Sequence, residues 1–128
     1  MKLLVDTHVF LSFISDDRRL SSRSLAALID PANELYPSVA SIWETVIKHQ
    51  IGKLPTPEPV NRFLEQEIDK NRILVLPILQ DHVFRLLDLP LIHRDPFDRI
   101  LLAQSIEGHL PIISNDRVLS RYPVEVIW

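Results

Sequence analysis

The sequence predicts one α/β domain, covering residues 1–128, with a central mainly parallel sheet of four to five short strands. Short apolar segments alternate along the chain with longer segments of helical periodicity, which is the order of elements in βαβ folds. The short segments are apolar throughout, as strands covered by helices on both faces usually are. A chain of 128 residues is also long enough to bury a core without disulfides or structural zinc.

The individual elements can be placed from this pattern. Strands are predicted at 2–6, 35–38, 73–76 and 111–114, with a weaker fifth at 124–127. Helices are predicted at 7–14, 21–30, 39–51, 58–70, 79–88 and 97–107. The helix at 39–51 has the clearest apolar stripe, which consists of Val39, Ile42, Trp43, Val46, Ile47 and Ile51. The helix at 97–107 has a capping signal, Asp95 followed by Pro96, and Gly108 is predicted to close its other end.

Composition excludes several classes of protein. The chain has no cysteine, which excludes disulfide-stabilised modules and thiolate metal sites and fits a cytoplasmic location. Its two glycines, Gly52 and Gly108, are too few for a glycine-rich phosphate loop. The longest apolar run, at 73–79, is far shorter than the ~20 residues of a membrane-spanning helix, so we expect no membrane partner. The net charge of −3 argues against a protein that holds nucleic acid by bulk basicity.

Four acidic residues are predicted to meet at one edge of the sheet. Asp6 and Asp116 follow predicted strands, where ligand sites form in parallel α/β sheets. Glu44 lies at the margin of the apolar stripe at 39–51, and Asp98 lies in the first turn of the helix at 97–107. Carboxylates held within a few Å of one another repel unless a cation neutralises them, and oxygen-only ligands suit Mg²⁺ or Mn²⁺. The pattern therefore predicts a site for one or two such ions.

Each of these acids also has a purely structural interpretation. Three acids are placed to cap the helical turns that follow them: Asp6, Asp95 and Asp116. Asp98 is favoured in a first helical turn by the helix dipole. Glu44 has the spacing of a surface ion pair with Lys48. No single acid decides between the interpretations, and it is the joint placement of four that favours a metal site.

Four segments together resemble the PIN-domain family: LLVDTHVFL at 3–11, SVASIWETVIKHQIGKL at 38–54, LPLIHRDPFDRILLAQS at 89–105 and IISNDRVLSRYPVEVIW at 112–128. The chain looks most like the VapC-like branch, found as toxins of bacterial type II toxin–antitoxin pairs. The resemblance covers essentially the whole chain and implies a three-layer α/β/α sandwich. It also implies a Mg²⁺- or Mn²⁺-dependent endoribonuclease that cleaves an RNA substrate, is inhibited by a cognate antitoxin protein and forms a homodimer.

The acidic positions of the family are matched by the same four acids, which the resemblance makes the catalytic and metal-binding residues: Asp6, Glu44, Asp98 and Asp116. Five residues are expected to support them: Thr7, His8, Asp95, Ser114 and Asn115. Four cations are candidates to contact phosphate, with solvated surface charge as an equally good interpretation of each: Lys48, Arg94, Arg99 and Arg117. Two divalent ions would add four positive charges to the net −3, so the loaded protein need not repel RNA.

Other functions fit parts of the sequence less well. A phosphatase of the haloacid dehalogenase type needs a second aspartate two positions after the first, where this chain has His8. A response-regulator receiver needs a lysine after a late strand, and no lysine follows Lys70. The stronger alternative is a PIN-like module that binds RNA or protein without catalysis. The complete acidic set argues against it, because a non-catalytic relative has no need of four carboxylates that repel one another.

Overall fold

A parallel sheet lies at the centre of the molecule, with its strands in the order β2–β1–β3–β4. The structure is a computed structural model that describes residues 1–17, 19–57 and 59–128. The strands are β1 (Lys2–Val5), β2 (Glu34–Pro37), β3 (Ile112–Ile113) and β4 (Val126–Ile127). Every neighbouring pair is parallel, so the carboxyl ends of the strands lie at one edge of the sheet. The predicted fold class, an α/β fold with a parallel sheet, is confirmed.

The helices match the predicted ones to within a few residues. They are α1 (Thr7–Ile14), α2 (Ser22–Ile29), α3 (Val39–Gln50), α4 (Val60–Lys70), α5 (Gln80–Arg85) and α6 (Pro96–Gly108). Two 3-10 helices, Leu86–Asp88 and Arg117–Arg121, follow α5 and β3. The helix predicted at 58–70 begins at Val60 in the structure, and its predicted first position, 58, lies outside the described residues. No helix in the described ranges is both long and apolar enough to cross a membrane.

Helices cover both faces of the sheet. Leu3 and Val5 of β1 point to one face, where they pack with side chains of α1, α2 and α4. Leu4 points to the opposite face and packs with α3 and α6. Since successive side chains of a strand alternate between faces, a fully apolar strand is stable only when both faces are covered. The result is the predicted three-layer α/β/α sandwich.

The prediction of a strand at 73–76 is wrong, and Pro37 explains why. The segment does lie beside β2: the N–H of Leu74 donates to Leu35 at 2.9 Å, and that of Leu76 donates to Pro37 at 2.8 Å. A parallel ladder would need Pro37 to donate to Leu74 in return, but proline has no N–H. Only an isolated bridge forms, between positions 38 and 76. The described part of the sheet therefore has four strands and not five.

The buried face of α3 differs from its apolar stripe. Its buried residues are Ala40, Ser41, Glu44 and Thr45. Trp43, a member of the stripe, is 59% exposed. Glu44 therefore lies on the inner face of the helix and not at the margin of a buried stripe. This orientation turns the carboxylate toward the sheet edge where the strands end.

The C-terminal end of α6 also differs from the prediction. Gly108 is the last helical residue, and His109 adopts the left-handed conformation that ends the helix, with φ of 51°. The N–H of Leu110 donates to the Ser105 carbonyl at 2.9 Å, and the Ser105 hydroxyl donates back to the Leu110 carbonyl at 2.6 Å. The first bond satisfies a carbonyl that the helix end leaves open, and the second holds Leu110 against the helix, so the turn forms without a glycine at its left-handed position.

Candidate functional site

Two aspartates stand at the carboxyl ends of neighbouring strands. Asp6 follows β1, and Asp116 follows β3 after two intervening residues. Oδ1 of Asp6 accepts the N–H of Val9 at 2.8 Å and caps α1. Oδ1 of Asp116 accepts the N–H of Val118 at 3.0 Å and caps the 3-10 helix after β3. The predicted capping roles are confirmed, and each uses one oxygen of its carboxylate.

Ser114 links the two aspartates. Its hydroxyl donates to the Asp6 carboxylate and accepts the N–H of Asp116 at 3.0 Å. Burial raises the pKa of Asp6 above its ordinary value of 3.8, while the hydrogen bonds from Ser114 and Val9 act in the opposite direction. The Asp6 carboxylate is thus held where its charge is costly unless a cation lies nearby.

Glu44 reaches the same edge from α3. The hydroxyl of Thr7 donates to the hydroxyl of Ser41 at 2.8 Å, which ties the start of α1 to α3 in the interior. Glu44 is only 8% exposed, and its carboxylate lies 2.8 Å from the Lys48 ammonium. The predicted spacing of an i,i+4 pair is confirmed, but the carboxylate is buried, so the pair is not the surface pair that the structural interpretation required.

Asp98 is positioned by the start of α6. Oδ1 of Asp95 accepts the N–H groups of Phe97 at 2.8 Å and of Asp98 at 3.3 Å, which confirms that Asp95 caps this helix. The ring of Phe97 packs edge-on against Trp43 of α3, with ring centroids 5.1 Å apart. Because Asp98 follows Phe97 and Glu44 follows Trp43, this aromatic pair fixes the relative position of two of the four acids.

His93 lies between Asp98 and Asp116. Its Nε2 is 2.8 Å from Oδ2 of Asp116 and 3.2 Å from Oδ2 of Asp98. One ligand atom from each of the three residues lies within 4.8 Å of the other two. Nδ1 of His93 accepts the N–H of Asp95 at 3.2 Å, which places the ring proton on Nε2, where it is donated to the carboxylates.

The loop that carries His93 is held by two side chains. The hydroxyl of Tyr122 accepts the N–H of His93 at 2.7 Å and donates to the Pro90 carbonyl at 2.8 Å. The Arg99 guanidinium donates to four carbonyls of the same stretch, those of Leu86, Leu89, Pro90 and His93. The Arg99 guanidinium is therefore engaged with backbone carbonyls of the preceding segment. A contact between Arg99 and phosphate stays a prediction.

The four acids influence one another electrostatically. Burial, first, and the charges of Asp95, Glu44 and Asp6 together raise the pKa of Asp98 to about 7, while His93 acts in the opposite direction. Asp6 in turn interacts with Asp116. The chain thus places the four acids that the sequence singled out within electrostatic reach at one edge of the sheet, and among them Asp98 and Asp116, with His93, have ligand atoms within 4.8 Å of one another. Near neutral pH, one of them is poised between its protonated and ionised forms.

The remaining predicted residues surround this acidic cluster. Thr7 and Ser114 are buried and hold its members in place, as described above. Four others are exposed around it: His8, Arg94, Asn115 and Arg117. Two residues of the site, His93 and Tyr122, were not predicted from the sequence. The available signal for His93 was its place two residues before the Asp95 cap, whereas nothing local marks Tyr122.

Comparison with known proteins identifies the family. Similar folds occur in VapBC2 from Rickettsia felis bound to a promoter DNA fragment (TM-score 0.74, 14% identity, 98% of this chain and 97% of that chain). They also occur in FitAcB from Neisseria gonorrhoeae (0.64, 17%, 98% and 96%) and in a toxin–antitoxin complex from Klebsiella pneumoniae (0.59, 17%, 94% and 92%). No curated protein sequence matches the chain. The family model of the PIN domain matches residues 3–125, and the chain therefore belongs to the PIN-domain family.

Proposed function

We propose that the protein is a divalent-metal-dependent endoribonuclease whose metal-binding and catalytic residues are Asp6, Glu44, Asp98 and Asp116. The observation that carries the proposal is the convergence of four carboxylates, from four separate elements, at the carboxyl edge of the sheet. Such a cluster is electrostatically unfavourable by itself. Carboxyl groups with strongly raised pKa values are common at functional sites for this reason.

The residues present fit Mg²⁺ or Mn²⁺. Since the Nε2 proton of His93 is donated to Asp98 and Asp116, the imidazole orients these two carboxylates and leaves the donor set composed of oxygen atoms. Carboxylate oxygens are the preferred ligands of both ions. The burial that raises the pKa of Asp98 to about 7 is the environment that a bound cation would compensate. We propose that the four acids hold one or two such ions.

A bound ion would supply Lewis-acid activation of water and charge stabilisation at a phosphodiester. The chain supplies the positions of the reacting groups. Capping fixes Asp6 and Asp116 at adjacent strand ends, and Lys48 restrains the Glu44 carboxylate. In-line cleavage depends on such fixed placement, because small displacements of the reacting groups cost large factors in rate.

Cleavage of total RNA in Mg²⁺ or Mn²⁺, with mapping of the new 5′ ends, tests this proposal. The parent protein is expected to produce defined ends that are lost in EDTA. Asp6→Asn and Asp98→Asn keep the side-chain shape and are expected to reduce cleavage about a hundredfold or more. Asp69→Asn, at an exposed position of α4, is the matched control. If folded Asp6→Asn protein cleaves as well as the parent, the proposal is wrong, and RNA binding without cleavage would support the non-catalytic module.

We further propose that the protein is the toxin of a toxin–antitoxin pair. Its sequence resembles the VapC-like branch, and one of the similar solved structures is a toxin–antitoxin complex. A cleft of about 390 Å³ between α1 and α2 is lined by four apolar side chains: Phe13, Leu20, Leu25 and Ile29. Asp16 and Asp17 also line it, and Asp17 is already paired with Arg19, so Asp16 is the acid left to meet a basic residue on an amphipathic partner helix. Co-expression with the protein encoded by the neighbouring short reading frame should yield a complex. If the protein expressed alone is not toxic and has no such partner, the toxin role is contradicted and the nuclease role stays open.

We also propose a homodimer. Exposed apolar side chains lie on α3, α5 and the 3-10 helix that follows α5: Trp43, Val83, Phe84 and Leu87. Trp43 and Val83 line one apolar cleft. Exposed apolar surface commonly marks an interface, and a second copy is the partner that is always present. Light scattering should give twice the mass of one chain for the parent and the mass of one chain for Phe84→Asp. A monomeric parent would contradict this proposal.

A further inference from the structure

Two adjoining clefts lie beside the acidic cluster. A cleft of about 480 Å³ is lined by Asp116, Asn115 and Trp128, and a second cleft of about 330 Å³ shares Asn115 and Trp128 with it. Three arginines and a histidine line the two clefts: Arg23 and Arg117 in the first, Arg19 and His8 in the second. We call the two clefts together the Trp128 groove. One end of this groove thus lies at the candidate site.

The groove is basic in a chain whose net charge is −3. Arg19 forms an ion pair with Asp17 at 2.6 Å. Arg23 and Arg117 are exposed, and within the described part of the chain neither forms an ion pair or a side-chain hydrogen bond. Their guanidinium groups are therefore available to an external anion, and a guanidinium matches the geometry of a phosphate.

The junction of the clefts offers an aromatic surface and an amide. Trp128 is partly buried and packs against the core on the α1 face, which fixes its indole while part of it lines the groove. Asn115 is exposed, and its amide can both donate and accept hydrogen bonds. Proteins recognise unpaired bases by stacking them on aromatic rings and by hydrogen bonding to the base edges.

We propose that the Trp128 groove binds single-stranded RNA beside the scissile phosphate. One base stacks on the indole of Trp128 with its edge at Asn115, and the adjoining phosphates contact Arg23 and Arg117. The cleft of about 480 Å³ falls within the usual size range of ligand sites. This inference rests on the proposed nuclease function and assigns the residues that hold the RNA strand beside the site. The paired bases of a duplex cannot offer their faces to the indole.

Fluorescence of Trp128 measures binding independently of cleavage. The chain has two tryptophans, so Trp43→Phe leaves Trp128 as the single indole. In the Trp43→Phe/Asp6→Asn double variant with Mg²⁺, an unstructured RNA oligonucleotide is expected to quench the fluorescence, and the same RNA annealed to its complement is not. Bound single-stranded RNA without quenching, or equal quenching by the duplex, would overturn the inference.

Substitutions in the groove give a second, independent test. Trp128→Leu keeps an apolar side chain without a ring and is expected to weaken single-strand binding about tenfold, whereas Trp128→Phe should restore most of it. Arg23→Ala and Arg117→Ala should each lower the slope of log affinity against log salt by about 0.7. Arg62→Ala, an exposed position of α4 outside the groove, should change neither quantity.

The outcomes separate this inference from the proposed function. If the parent cleaves RNA but the groove variants bind single strands with parental affinity and salt dependence, the groove assignment is wrong and the nuclease stands. If no protein cleaves but Trp128 is still quenched by single strands only, the groove assignment stands and the nuclease proposal fails. The arginine variants leave the packing of Trp128 intact, so a poorly folded Trp128→Leu protein does not prevent a decision.

Discussion

Replacement of Asp98 by asparagine should stabilise the protein in the absence of metal. Burial and the charges of Asp95, Glu44 and Asp6 raise the pKa of Asp98 to about 7, from an ordinary value of 3.8. Between these two pH values the folded state holds a proton that the unfolded state has lost, so stability falls as the pH rises from about 4 to about 7. Asparagine keeps an oxygen that can accept from His93 but carries no charge.

The expected gain can be worked from the exposure of the side chain. About a quarter of it, 26%, is exposed. After allowance for solvent screening of the shift, we expect Asp98→Asn to be about 1–2 kcal/mol more stable than the parent at pH 8. In a chain of 128 residues this corresponds to a rise in Tm of about 3–10 °C. Thermal unfolding followed by circular dichroism in EDTA measures it, and the difference should shrink as the pH is lowered toward 4.

Addition of Mn²⁺ should reverse the order of stability. A metal ion that binds only the folded parent stabilises it by about 2.7 kcal/mol at a hundred times Kd, whereas the variant lacks one ligand and should gain less. Asp69→Asn should behave like the parent in both solutions. Two results would refute the reasoning: an Asp98→Asn protein that is less stable than the parent in EDTA at pH 8, or one that Mn²⁺ stabilises as much as the parent.

The remaining predictions concern the His93 loop and the pH dependence of cleavage. Tyr122 is 4% exposed, and Tyr122→Phe removes the hydroxyl that holds the backbone of His93, so we expect a loss of about 1–3 kcal/mol in the free energy of unfolding in urea. An unchanged unfolding midpoint would count against this role. Cleavage should increase as the pH rises through about 7, because Asp98 must lose its proton to bind metal, and more metal should shift the profile to lower pH. A flat profile between pH 5.5 and 8 would contradict this prediction.

The fold could be predicted where the signal is local. The uniform apolar strands and the order of elements follow directly from the sequence, and they predicted a parallel sheet covered by helices, while the three-layer sandwich came from the family resemblance. The prediction of a strand at 73–76 was wrong because the pairing would need an N–H from another segment, at Pro37, and proline has none. The prediction that Gly108 closes α6 was wrong because hydrogen bonds between Ser105 and Leu110 stabilise His109 in the left-handed conformation. The conformational propensity of histidine alone does not favour that conformation.

In the candidate site, too, local features could be predicted from the sequence and long-range contacts could not. The capping positions of Asp6, Asp95 and Asp116 are readable from the sequence because capping is a local interaction. The burial of Glu44 is not, because periodicity identifies the apolar face of α3 and not the face of small polar residues that packs inward. His93 depends on Tyr122, which lies 29 residues away along the chain. Contacts over such distances become visible only once the chain is folded.

Isothermal titration of Mn²⁺ into the metal-free protein tests the central claim, that the four carboxylates form a divalent-cation site. We predict saturable binding of one or two ions, with proton release below pH 7 as the metal displaces the proton of Asp98. Asp6→Asn and Asp116→Asn should each weaken or abolish binding, and Asp69→Asn should leave it unchanged. An absence of binding at millimolar Mn²⁺ would contradict the metal site and favour a non-catalytic PIN-like module.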